Sequence, residues 1–114
     1  MIREIIFYDN YFKDFFDKQS ERIKAKIDYV LYLIAEVERV PEKFLKHMED
    51  SDSLYEIRVK VSGNIIRIFC FFDEGKLIVV LNAFQKKSKK TPKKEIDLAE
   101  KLRKEYFKEK KGGK

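Results

Sequence analysis

The stretch that decides the fold is residues 54–84, LYEIRVKVSGNIIRIFCFFDEGKLIVVLNAF. In its first part Tyr55, Ile57, Val59 and Val61 alternate with Glu56, Arg58 and Lys60. A period of two belongs to a strand with one buried face. Two apolar runs follow, IIRIFCFF and LIVVLNAF, set off by the glycine-bearing turns SGN and DEGK. Tight turns between strand-like runs predict an antiparallel meander of three strands. A two-residue turn at Gly63 and Asn64 would pair Val61 with Ile66, Lys60 with Arg67 and Arg58 with Phe69. Directly opposed residues share a face. One face then collects Tyr55, Ile57, Val59, Val61, Ile66, Ile68, Cys70 and Phe72. The other collects Glu56, Arg58, Lys60, Arg67, Phe69 and Phe71. A second two-residue turn, at Glu74 and Gly75, would add Leu77, Val79 and Leu81 to the apolar face and set Asn82 opposite Arg67. Every charged residue of the three strands falls on one side.

Upstream, IREIIFY reads as a short strand. Asp9 and Asn10 can cap a helix over YFKDFFDK, and Ser20 can cap a longer one. In the longer helix Ile23, Ile27, Val30, Leu31, Ile34 and Val37 recur at helical spacing. Pro41 in RVPEKF is expected to end it, and HMEDSDS reads as a polar connector. Downstream, Thr91 as N-cap and Pro92 at the first helical position open a final helix. Its stripe is Ile96, Leu98, Ala99, Leu102 and Tyr106. KEKKGGK, residues 108–114, reads as a disordered tail. The whole is one α+β domain over residues 1–114: an N-terminal strand and two helices packed on an antiparallel meander, with a C-terminal helix.

Composition narrows the function classes. With 44% hydrophobic and 14% aromatic residues, the chain can bury a core despite its charge. A lone cysteine, Cys70, forms no internal disulfide and reads as a small buried hydrophobe. One cysteine and one histidine, His47, argue against a structural zinc site and a thiol–histidine pair. No apolar run approaches a membrane span, and MIREIIFYDN shows no signal-peptide pattern. The expected location is the cytoplasm, with no metal and no cofactor.

Charge is uneven. Residues 86–114 hold thirteen Lys or Arg against five acids, whereas residues 1–85 hold thirteen against fifteen. Six of those lysines fall within residues 86–94. A run of lysines is usually a solvated surface. Here it continues a strand face that already carries Arg58, Lys60 and Arg67, and an arginine inside IIRIFCFF is costly to leave unpaired. Either Glu56 pairs with it, or the face is a site for a polyanion. Lys93 and Lys94, in the first turn of the last helix, oppose its dipole, a conflict that a binding role explains.

LYEIRV, the arginine in IIRIF, the DEGK hairpin and FQKKSKKTPKKEI before a helix together resemble the RelE/HigB superfamily of bacterial toxins, in its phage-derived HigB-like branch. The resemblance is clear over the last half of the chain and general over the first. It implies a RelE-like fold and the toxin of a type II toxin–antitoxin pair: a metal-independent mRNA endoribonuclease acting at the ribosome, neutralised by a helix-turn-helix antitoxin. Carried over by position, it makes Arg58, Arg67, Lys87 and Lys90 catalytic candidates. Lys60, Lys86, Lys89 and Asn82 are RNA-binding candidates, and His47 and Tyr106 candidates for general acid and base. Two alternatives stay open: a ParE-like toxin that blocks a protein such as DNA gyrase, and an inactive relative.

Overall fold

The meander forms, and it is the middle of a larger sheet. A computed structural model describes residues 1–86 and 90–112. Its elements are β1 (Glu4–Phe7), α1 (Tyr11–Asp17), α2 (Glu21–Glu36), β2 (Leu45–His47), β3 (Tyr55–Val61), β4 (Asn64–Asp73), β5 (Leu77–Lys86) and α3 (Lys93–Gly112). The five strands lie in the order β1-β5-β4-β3-β2. β1 runs parallel to β5, and the other neighbours are antiparallel. The architecture is α+β, as expected. β2, which ends on the first residue of the expected connector, was not.

Both hairpins differ from their expected registers. Ser62 and Gly63 occupy the first turn with φ of 48° and 84°, the left-handed pair that a tight hairpin requires. Val61 therefore faces Asn64, Arg58 faces Arg67 and Glu56 faces Phe69. The shift is two residues, so every β3 and β4 side chain keeps its expected face. The second turn holds three residues, because Asp73 pairs with Leu77. That shift is a single residue, and it inverts the start of β5. Ile78 and Val80 face the N-terminal helices, whereas Val79 and Leu81 face the other way. Two β5 residues, Leu81 and Asn82, then oppose Phe69 alone, a bulge that returns Ala83 to the first face and sets Phe84 opposite Arg67.

The sheet is buried on both sides. One face packs Ile57, Val59, Ile66, Ile68, Cys70, Ile78 and Val80 against Phe12 of α1 and Ile27, Val30 and Ile34 of α2. On the other, Phe69, Phe71, Val79 and Leu81 lie under Ala99 and Leu102 of α3. The α3 stripe thus finds its partner on the face expected to carry the charges, beside Phe69 and Phe71.

Helix ends account for the remaining differences. Ser20 caps α2, its hydroxyl accepting from the Ile23 amide at 3.3 Å. α2 stops at Glu36, well before Pro41, because Val37 turns extended. Arg3 secures that end, donating to the carbonyls of Ile34, Val37 and Glu38 at 2.9, 2.7 and 2.7 Å, where a cation also suits the helix dipole. α3 begins at Lys93, and the Pro92 carbonyl accepts from the Glu95 and Ile96 amides, so Pro92 rather than Thr91 holds the capping position. The helix continues to Gly112, so residues 108–112 are ordered helix instead of tail. Its far end is tied down: Tyr106 and Lys110 donate to the buried Asp73 at 2.7 and 2.9 Å, and Tyr8 donates to Glu109 at 2.8 Å. Among the described residues no helix is long and apolar enough to cross a membrane.

Candidate functional site

α3 leaves part of the second sheet face open. There, Arg58 and Arg67 sit directly opposite each other on β3 and β4, and Lys86 ends β5 nearby, paired with Ile65. An open cleft of about 380 Å³ forms over them, closed on its sides by Lys46 to Asp50 and by Thr91.

Glu56 organises the cations. Its Oε1 lies 2.6 Å from Arg67 Nη1 and 3.7 Å from Arg58 Nε. Arg67 is thus on the expected side of the sheet, yet it is only 5% exposed and already paired. Burial depresses the Arg67 pKa, Glu56 opposes that, and Arg58 adds to it; a guanidinium stays charged regardless. Arg67 Nε is buried, with no hydrogen-bond partner among the described residues. Lys86 loses its proton more readily than an ordinary lysine, first because of burial and then because Arg67 and Arg58 repel its charge, against Glu56. Among the described lining residues four cations, Lys46, Arg58, Arg67 and Lys86, meet three carboxylates, Glu49, Asp50 and Glu56. The cleft is polar and only mildly cationic.

The remaining candidates scatter. Lys60 is exposed and lines a different groove, beside α2. Asn82 does not face Arg67: the bulge turns it to α3, where its amide donates to the backbone and side-chain oxygens of Glu95, both at 3.1 Å. His47 borders the cleft, but it pairs with Tyr55, so its neighbour Lys46 is the one that shares a face with Glu56. The His47 ring packs edge-on to Tyr55 at 5.1 Å, and its Nε2 lies 3.1 Å from the Asp52 carbonyl. Tyr106 is committed to Asp73, six residues along β4 from Arg67 and so about 20 Å away. Lys90 is exposed between β5 and α3; Lys87 and Lys89 lie outside the described residues. Cys70 is fully buried and its thiol pKa is pushed up by that burial, as befits a core residue.

Two contributors escaped the sequence reading. Glu56 was visible there only as an optional partner of Arg67, whereas it holds both arginines. Lys46 enters through β2, whose three residues are too few to show a period.

The profile of the family described as Phage derived protein Gp49-like (DUF891) matches residues 14–104. The chain belongs to this Gp49-like family. The family is phage-derived and toxin-like, related to the RelE/HigB toxin type. The matched span contains Lys46, Arg58, Arg67 and Lys86, and thus all four cations that line the cleft among the described residues of this Gp49-like chain. Comparison with curated proteins gives no match.

Proposed function

We propose that the chain is the toxin of a type II toxin–antitoxin pair and cleaves messenger RNA at the ribosome without a metal ion. The observation that carries this reading is the meeting of Arg58, Arg67 and Lys86 in one solvent-open cleft, within a chain of a RelE-related family.

In the proposed reaction a ribose 2′-oxygen attacks the adjacent phosphorus, and the bond from phosphorus to the 5′-oxygen breaks. The products are a 2′,3′-cyclic phosphate and a 5′-hydroxyl. Charge accumulates on the phosphorane between these events, and fixed cations stabilise it as it grows. Arg67, oriented by Glu56, and Arg58 take that role. Lys86, with its lowered pKa, is the proton acceptor for the 2′-hydroxyl; a proton returns to the departing 5′-oxygen. Lys87, Lys89 and Lys90, which follow β5 in sequence, add contacts to the RNA phosphates. A helix-turn-helix antitoxin would neutralise the chain.

One observation favours a second reading. Glu56 already neutralises part of the Arg67–Arg58 pair, as a structural ion pair would, and a ParE-like toxin that blocks gyrase needs no cleavage site. Induction of the chain in a bacterium separates the two. The nuclease reading expects translation to stop and primer extension to show cuts inside translated codons. DNA damage with intact messages would establish the gyrase reading instead.

A further inference from the structure

A second groove, of about 410 Å³, lies on the opposite side of the β3 edge, between that strand and α2. Its lining carries Arg22, Lys26 and Lys60 and, among the described residues, no carboxylate. It is more purely cationic than the cleft around Arg67. We propose that this groove is a second binding site for single-stranded RNA, holding the backbone of the strand whose scissile phosphate sits at Arg67. The inference rests on the nuclease reading above and extends it.

Three features point to a polynucleotide. First, the groove and the cleft adjoin along β3. Arg58 lines the cleft and Lys60 the groove, and the two are neighbours on one face of β3, about 7 Å apart. Second, Arg22 and Lys26 stand one helical turn apart on α2, about 6 Å between their Cβ atoms, so two cations can meet neighbouring phosphates. Third, Tyr29 on the next turn lines the same groove and is 50% exposed, with Lys26 Nζ 5.3 Å from its ring centroid. An open aromatic ring among cations is what an unpaired base and its phosphate require.

The strand edge adds a donor. β2 pairs only with Tyr55 to Ile57, and the Arg58 amide is taken by the Phe44 carbonyl. Alternation along a strand aims the Lys60 amide the same way, where no strand among the described residues runs beside it. An acidic peptide could use the edge and the cations, but it has no use for the exposed ring.

The test is binding of 2′-O-methyl oligouridines, which lack the attacking hydroxyl, measured by fluorescence anisotropy over a salt series. The wild type should bind a twelve-nucleotide strand more tightly and with a steeper salt slope than a four-nucleotide one. Arg22→Gln with Lys26→Gln should reduce the twelve-nucleotide slope by about 1.4 log–log units, roughly 0.7 per lost phosphate contact, and leave the four-nucleotide strand unaffected. Both residues are solvent-accessible on α2, and an unchanged melting temperature confirms folding; Lys60→Gln, on a different element, should remove about one contact in the same way. An unchanged slope, or equal losses for both lengths, overturns the proposal, as does loss of binding to an acidic partner protein with RNA binding intact. Cleavage is read separately. A chain that never cuts RNA but shows the length-dependent slope would lose the nuclease reading and keep the groove.

Discussion

At the scale of single residues, the account turns on Arg67 and Glu56. Both side chains are largely buried, with 6% and 12% of their surfaces exposed, and 2.6 Å separates the charged atoms. A buried ion pair is weak evidence of stability as a pair, but removing one partner strands the other. The two truncations should not be equal. Glu56→Ala leaves Arg67 buried beside the like charge of Arg58, and should cost about 3 kcal/mol in urea unfolding. Arg67→Ala leaves Glu56 with Arg58, already 3.7 Å away, and should cost less than half of that. Equal losses would mean that Glu56 does not organise the cluster. That Arg67 and Arg58 share one face was legible from the alternation in β3 and from a charge inside an apolar run. Asn82 was not: its placement depended on a bulge, and a bulge leaves no trace in hydrophobic periodicity.

At the scale of elements, turn length decided what could be read. A two-residue register error across the β3–β4 turn was harmless because side chains alternate with period two, whereas a one-residue register error across the β4–β5 turn moved Val79 and Leu81 to the opposite face. The consequence was a missed second core, since α3 packs on the face those residues join. The stripe from Ile96 to Tyr106 showed that such a surface had to exist, without showing where. α3 is also held by polar contacts at its far end. Burial pushes the Asp73 carboxyl upward, but the bonds from Lys110 and Tyr106 and the Lys110 charge outweigh it and hold the pKa below its ordinary value. A depressed carboxylate contributes stability that is present above the unfolded value, about 3.9, and is lost as pH falls through the lower folded value. Asp73→Asn should therefore be less stable than the wild type at neutral pH, and the difference should shrink as pH falls below about 4. A difference that stays constant across that window would show that the carboxylate is not what holds the helix.

At the scale of the whole molecule, the fold class was legible because patterning, turns and caps agreed along the chain. The charge asymmetry was equally plain, but not its distribution in space: cations of α2, far away in sequence from the lysine run, meet Lys60 only after folding. In the proposed function the C-terminal lysines supply the long-range attraction for RNA. Replacing Lys86, Lys87 and Lys90 with Gln should flatten the salt dependence of RNA binding by about two log–log units and slow cleavage together; an unchanged slope would reduce the run to a solvated surface. The central claim is that the cleft around Arg67 performs the cut. Its most direct test is single-turnover cleavage of a message held in a purified ribosome complex, comparing the wild type with a folded Arg67→Gln variant. The account predicts a fragment ending in a 2′,3′-cyclic phosphate from the wild type, and a rate at least about a hundredfold lower in the variant, the loss of some 3 kcal/mol of transition-state stabilisation. Equal rates from the two proteins would contradict it.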